Sequence, residues 1–224
     1  DCNTGKCVAR ALMSKKCVSA RFLLESEKII VADKTGNAYA LTRIPRASDA
    51  SSSGSSSGSG ESRGVDELKA KFLLGHCATI SSVQLLWTRH PHTRKMNRLI
   101  ATSDVEGKIR ISRYPEAYDI VCYCLGHKAF VTTLGKVIFR HSDGSASPLL
   151  VSGGGDGTVR LWEPLMGKNL DTFVPSGHLK GADTKTRSAG QKRAREPPAS
   201  AVIGSLATSH LHSLVAVGVV GASV

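Results

Sequence analysis

The sequence predicts an all-β fold built from a repeated unit of short strands. Apolar runs of strand length recur along the 224 residues, and paired runs are separated by an Asp and a Gly, as at 33–36, 104–107 and 156–157. Asp and Gly are favoured in tight hairpin turns, where the backbone adopts positive φ. The chain contains 22 Gly and 41% apolar residues, so it has both the turn formers and the apolar area that such a fold needs.

Gly-His dipeptides and a closing Trp-Glu pair indicate which kind of repeat this is. Gly-His dipeptides at 75–76 and 126–127 precede strand-like runs, and one unit closes on Trp162-Glu163. A repeat of about 40–50 residues with Gly-His at one end and a Trp-Asp-like pair at the other is typical of a WD-repeat β-propeller blade. The predicted units are about 15–45, 70–118 and 121–173, followed by a half-blade at 199–224. A third Gly-His, at 177–178, runs into basic sequence and is not taken as a blade start.

Two low-complexity segments interrupt the pattern. Residues 48–64 are rich in Ser and Gly and predict a flexible loop. Residues 175–198 are rich in Lys, Arg, Gly and Ala and predict a disordered basic loop. The whole chain, 1–224, is then one partial propeller domain of about three and a half blades. Because a propeller needs at least four blades to close, the chain is expected to be truncated at both ends.

In WD-repeat blades a His, a Ser or Thr, an Asp and a Trp form a buried polar network, and the resemblance of the third unit to such a blade implies this role for His127, Ser152, Asp156 and Trp162. The Asp accepts from one His nitrogen, the other nitrogen accepts the Ser hydroxyl proton, and the Ser oxygen accepts the indole N–H. The set looks like a Ser-His-Asp catalytic triad, but a buried Ser that serves the fold is the favoured interpretation. A weaker set in the preceding unit consists of His76, Thr102 or Ser103, Asp104, and Ser112 in the place of the Trp.

Charge and cysteine usage limit the classes of function. The formal net charge is +12, which is compatible with an RNA or an acidic protein partner and equally with a solvated basic surface. The six Cys include no CxxC pair, so the sequence predicts reduced thiols, no metal site and no cofactor. No signal peptide and no run of 18 or more apolar residues is present, so no membrane association is expected.

Three stretches carry a more specific resemblance. They are 28–39 (KIIVADKTGNAY), then 73–76 (LLGH) followed by 101–112 (ATSDVEGKIRIS), and then 124–131 (CLGHKAFV) followed by 152–163 (SGGGDGTVRLWE). In order and approximate spacing they resemble the WD-repeat, non-catalytic subunit of the tRNA (guanine-N7-)-methyltransferase. The third stretch is common to many WD repeats, whereas the first two depart from the WD consensus in that family's own way.

The resemblance implies a seven-bladed full protein that is not an enzyme. In that family the propeller binds no methyl donor; it docks against a catalytic Rossmann-type methyltransferase, forms a heterodimer with it and holds it active. The catalytic partner places N7-methylguanine in the variable loop of tRNA, so tRNA is met mainly through the complex. Lys34 and Arg110 match family positions at the protein–protein contact, and Glu106 stands where the family often has Asp. Arg suits such a contact because its fork pairs with a carboxylate through two hydrogen bonds.

Alternatives remain open at this point. Lys34 and Arg110 could each be an ordinary solvated strand residue, and Val105 and Gly107 depart from the family pattern. The protein could be another WD-repeat adaptor, of the chromatin or ubiquitin-ligase type, with its partner on the top face of the propeller instead of a blade flank. An enzyme is disfavoured because no exposed nucleophile–base pair or phosphate-cradling loop is convincing. The run 192–195 (KRAR) predicts a nuclear location.

Overall fold

The computed structural model describes residues 3, 5, 7–23, 28–44, 66–89, 95–140, 142, 144, 146–175, 202–209 and 214–220. Apart from Pro175, the two low-complexity segments at 48–64 and 175–198 lie outside these residues, as do the basic run 192–195 and the Gly-His at 177–178. Within the described part of the chain, no helix is long enough and apolar enough to cross a membrane.

The described strands form four sheets that follow one another along the chain. The first sheet contains β1 (Ala9–Arg10), β2 (Cys17–Leu23), β3 (Lys28–Asp33), β4 (Asn37–Ile44) and β5 (Asp66–Gly75). The second contains β6 (Ile80–Arg89), β7 (Met96–Asp104), β8 (Ile109–Arg113) and β9 (Ile120–Cys124). The third contains β10 (Val131–Arg140), β11 (Ala146–Gly154), β12 (Val159–Glu163) and β13 (Lys168–Phe173), and the fourth contains β14 (Val202–Thr208) and β15 (Val215–Val220).

Each of the first three sheets is an antiparallel meander of four consecutive strands, and β1 adds to the outer edge of the first by pairing parallel with β5. The fourth sheet is a single antiparallel pair. This architecture confirms the predicted all-β fold, a partial propeller of about three and a half blades.

The unit boundaries drawn from the sequence were wrong by one strand. β5 pairs with β4 over a register from Asn37↔Gly75 to Ile44↔Glu67, so it completes the first blade and does not begin the second. In the same way β9 is the outer strand of the second blade, although it was assigned to the third unit. The reason is that Gly-His lies in the link between two blades. A sequence unit that begins just before this marker therefore includes the outer strand of the preceding blade.

The core lies between the sheets, which pack face to face. On β7, Ile100 packs towards the first blade and its neighbour Leu99 packs towards the third, because successive side chains of a strand point to opposite faces. Both side chains are fully buried. The fourth sheet packs Ile203 against Val151 of the third blade. Burial on both faces explains why the central strands are apolar runs and do not alternate.

Candidate partner interface and its buried polar networks

The β3–β4, β7–β8 and β11–β12 turns lie at one end of the sheets, which we call the turn end. The links that enter each blade cross the same end. In each of the three blades, the second residue of the turn donates its N–H to the carbonyl of the residue just before the inner strand. These bonds join Lys34 to Lys16 (2.9 Å), Val105 to Thr79 (3.1 Å) and Gly155 to Phe130 (2.7 Å).

In the third blade the structure brings together the four side chains that the sequence suggested. His127 Nδ1 lies 3.1 Å from both carboxylate oxygens of Asp156, and His127 Nε2 lies 2.7 Å from Ser152 Oγ. Trp162 Nε1 donates to the same Ser152 Oγ at 2.7 Å. An ionised carboxylate only accepts, so Nδ1 carries a proton and donates it to Asp156. Ser152 and Trp162 are fully buried, which is tolerable because each polar atom has a partner.

One member of this network was missed from the sequence. The hydroxyl of Thr158 donates to Asp156 Oδ1 at 2.7 Å, and its backbone N–H donates to the same oxygen at 3.1 Å. The signal was present, since Asp-Gly-Thr is a turn in which the Asp accepts from the residue two positions later.

The carboxylate of Asp156 is held in its ionised form. Burial opposes ionisation, but hydrogen bonds from His127, the Lys128 N–H and Thr158 outweigh it and lower the pKa of Asp156 below its ordinary value of 3.8. A carboxyl whose pKa is lower in the folded state contributes stability that is complete above its unfolded pKa and is lost as the pH falls through the folded pKa.

We therefore expect the free energy of unfolding to fall when the pH is lowered below 3.8, and we expect Asp156→Asn to make this fall shallower. Urea unfolding at neutral pH and at successive acid values measures the slope for both proteins. An Asn variant that loses stability in acid as steeply as the wild type would show that Asp156 does not contribute to it.

The second blade has a similar network, but its Asp occupies a different position of the turn. His76 Nδ1 lies 3.1 Å from Asp104 Oδ2, and His76 Nε2 lies 2.8 Å from Thr102 Oγ1, so Thr102 and not Ser103 is the hydroxyl partner. Burial lowers the pKa of His76 and outweighs the opposing effect of Asp104. The lowered pKa favours the neutral imidazole.

The two networks take their carboxylate from different turn positions. Asp104 begins its turn and its carbonyl accepts from Gly107; in the third blade Gly154 begins the turn, and its carbonyl accepts from Gly157. Asp156 therefore occupies the turn position that Glu106 occupies in the second blade. A Cβ on Gly154 would lie 2.5 Å from His127 Nδ1, so either turn position directs a side chain at the His.

In the first blade, the hydrogen bonds of the turn carboxylate to other described residues stay within its own turn. Asp33 Oδ1 accepts from the Thr35 N–H at 2.8 Å, the Thr35 hydroxyl at 2.7 Å and the Asn37 N–H at 3.0 Å. Burial opposes ionisation, but these hydrogen bonds outweigh it and lower the pKa of Asp33. The Asp of this blade thus fixes the turn that carries Lys34.

Two of the three predicted partner-binding residues are exposed at the turn end. Lys34 lies in the β3–β4 turn and not on a strand, and its side chain is exposed. Glu106 lies in the β7–β8 turn, is about half exposed and pairs with Lys108 Nζ at 2.6 Å. The structure places both side chains on neighbouring turns of adjacent blades.

The third residue, Arg110, is half-buried, and its guanidinium donates hydrogen bonds to other residues of this chain. Its Nε donates to Ser112 Oγ at 2.9 Å, and its terminal nitrogens donate to the carbonyls of Gly75 at 3.2 Å and Ala117 at 2.8 Å. Ser112, which stands where a Trp was expected, is fully buried and serves as this acceptor. Arg110 therefore joins the end of the first blade to the second, and replacing it removes three internal hydrogen bonds together with any partner contact.

Among the described residues, no cluster of three or more His, Cys, Asp or Glu is arranged to hold a metal ion. The Ser152–His127–Asp156 set has its hydroxyl oxygen occupied by the indole N–H of Trp162 and buried away from solvent. Such an oxygen has no approach for a substrate, so the set is structural.

Comparison with known proteins identifies a family model and several relatives that this chain matches. Residues 55–214 match the family model described as the tRNA methyltransferase TRM82 WD40 domain. The Drosophila yakuba tRNA (guanine-N(7)-)-methyltransferase non-catalytic subunit wuho is 29% identical over 160 residues, which cover 70% of this chain and 29% of that protein. The human non-catalytic subunit WDR4 of the same methyltransferase is 28% identical over 165 residues, covering 74% of this chain and 32% of that protein.

Among solved structures, the computationally designed Ika4 protein superposes with a TM-score of 0.45 at 12% identity, over 97% of this chain and 100% of that one. The chain spans about a third of the length of the curated relatives that it matches.

Proposed function

Because the chain belongs to the TRM82 WD40-domain family, we propose that it acts in a non-catalytic subunit that binds and activates a tRNA (guanine-N7-)-methyltransferase. The observation that carries this proposal is the family match over 55–214, together with relatives that are named as non-catalytic subunits. The subunit has no methyl-transfer activity of its own; it forms a heterodimer with the catalytic subunit, which methylates guanine in tRNA. Contact with tRNA is made mainly through the complex.

The turn end of the first and second blades is the proposed contact surface. Lys34 and Glu106 are exposed there with opposite charges, and complementary charge on a partner gives orientation and a faster association rate. Arg110 joins the first blade to the second through its bonds to Gly75 and Ala117.

Reconstitution tests the activating role. The full-length protein and the catalytic subunit of the same organism are purified separately, and N7-methylguanine formation in tRNA is measured with each alone and with both together. We expect the mixture to exceed the catalytic subunit alone by about tenfold or more, which is within the usual range of coupling between sites, and the propeller alone to be inactive. Equal activity without the propeller, and no complex on a sizing column, would refute the proposal.

Lys34→Glu tests the contact surface. Reversal of this charge should weaken the complex, while Lys69→Glu makes the same charge change on the exposed outer strand of the same blade and should leave affinity unchanged. Lys34 is a cleaner probe than Arg110, because Arg110→Leu also breaks internal bonds. If Lys34→Glu bound the catalytic subunit as tightly as Lys69→Glu and the wild type do, Lys34 would be excluded from the contact.

We also propose a nuclear location. It is supported by the basic run 192–195 in the sequence. Fusing 175–198 to a cytoplasmic reporter tests it, and Lys192→Ala with Arg193→Ala is the matched control. A reporter that stays in the cytoplasm would contradict the proposal.

A further inference from the structure

Thr79 connects the two turns of the proposed contact surface. It is the last residue of the link between the first and second blades, immediately before β6, and is half-buried. Its hydroxyl donates to the carbonyl of Lys34 at 2.7 Å, and its own carbonyl accepts from the N–H of Val105 at 3.1 Å. One residue is therefore bonded to the turn that carries Lys34 and to the residue that precedes Glu106.

The backbone of Lys34 is held on both sides. Its N–H donates to Lys16 in its own blade, and its carbonyl accepts from Thr79 in the link to the next blade. The link also lies directly over the turn, since a Cβ on Gly36 would be 2.5 Å from the carbonyl oxygen of Ala78. The position of the Lys34 turn is thus set relative to the second blade and not only within the first.

The next junction provides an internal comparison. Phe130 holds the place of Thr79 there, since it also precedes an inner strand and accepts from the second residue of its blade's turn, Gly155. Phe130 has no hydroxyl, and its ring lies against Gly155, where a Cβ would be 2.5 Å from Cε1. The backbone bond is common to both junctions, whereas the side-chain bond back to the preceding turn is present only where that turn carries Lys34.

We infer that Thr79 is a positioning residue for the partner contact: its hydroxyl fixes the spacing between the turns that present Lys34 and Glu106. The inference rests on the proposed function, because it assigns Thr79 a role at the surface where the catalytic subunit docks. A neutral hydrogen bond of this kind corresponds to about a fivefold change in affinity when its loss lets the contact surface relax.

The test compares Thr79→Val, which removes the hydroxyl and keeps the shape, with Thr79→Ser, which keeps the hydroxyl. In the full-length protein, we expect Thr79→Val to bind the catalytic subunit about fivefold more weakly, and Thr79→Ser to bind like the wild type. If Thr79 acts through Lys34, Thr79→Val should have little effect in a Lys34→Ala background, because residues that share one contact are not additive. A general loss of stability would instead be additive.

Thr132→Val is the matched control. The Thr132 hydroxyl donates to the carbonyl of Ile203 at 2.5 Å at the junction of the third and fourth sheets, far along the chain from Lys34. It should leave affinity for the catalytic subunit unchanged.

Amide hydrogen exchange of the free protein supplies a readout that needs no partner. Thr79→Val should speed exchange at the 33–36 turn, and Thr132→Val should not. Unchanged exchange at that turn, or wild-type affinity in Thr79→Val, would overturn this inference and leave the proposed function standing. Failure of the wild-type protein to bind the catalytic subunit would overturn both.

Discussion

Trp162→Ala is expected to lower the free energy of unfolding by about 4 kcal/mol. The indole is fully buried between the second and third blades, so truncation leaves a large cavity. It also removes the N–H that Ser152 Oγ accepts at 2.7 Å. Because small domains are stable by only about 5–15 kcal/mol, this change approaches complete loss of the fold. Urea unfolding followed by far-UV circular dichroism measures it.

Two further variants separate the stability cost of the cavity from that of the lost hydrogen bond. Trp162→Phe keeps most of the apolar volume and removes only the donor, so it should cost about 1–2 kcal/mol. Leu12→Ala removes a large apolar side chain that is 99% exposed, and should change stability by less than about 0.5 kcal/mol. If Trp162→Ala were no more destabilising than Leu12→Ala, the indole would not be part of the core.

Gly36→Ala is expected to destabilise the protein by about 3 kcal/mol, which combines a strained backbone with steric overlap. Gly36 has φ of +91°, and a Cβ there would lie 2.5 Å from the Ala78 carbonyl oxygen and 2.6 Å from that of His76. Both neighbours are backbone atoms of the link, so relief requires the link to move away from the first blade. That movement would also break the bond from the His76 N–H to the Gly36 carbonyl, which is 2.8 Å long. Thermal unfolding, converted to free energy at the wild-type midpoint, measures the effect.

Gly144→Ala is the matched control for this prediction. Gly144 has φ of +79°, but a Cβ there would meet no atom within 4 Å. It should therefore cost only the backbone strain, about 1 kcal/mol. The difference between the two variants measures the tightness of the blade junction, and equal effects would mean that the link does not press on the turn.

The three predicted partner-binding residues show what a sequence pattern can determine and what it cannot. Matching short segments to a family singled out Lys34, Glu106 and Arg110 without distinguishing their surroundings. The structure separates them, because Lys34 and Glu106 lie on exposed turns whereas all three nitrogen groups of the Arg110 guanidinium donate within the chain. A pattern of residue types reports position along a strand, but hydrogen-bond partners such as Ala117 are contributed by turns that the pattern does not specify.

The sequence by itself determined the central hairpin of each of the first three blades. Strand-length apolar runs and Asp/Gly turns act over a few residues, so they identified these hairpins and the fold class. The four members of the third-blade network were likewise identifiable, because the third unit matches the Gly-His, Ser, Asp-Gly and Trp of the WD-repeat pattern.

Only the tertiary structure decided which strand belongs to which blade, and what lies across each junction. β5 is separated from β4 by more than twenty residues of chain yet pairs with it along its length. Thr79 bonds to Lys34, 45 positions earlier in the chain, with no local signal to mark it. Both depend on contacts between residues distant in sequence, which are fixed by how whole sheets pack and not by the propensities of neighbouring residues.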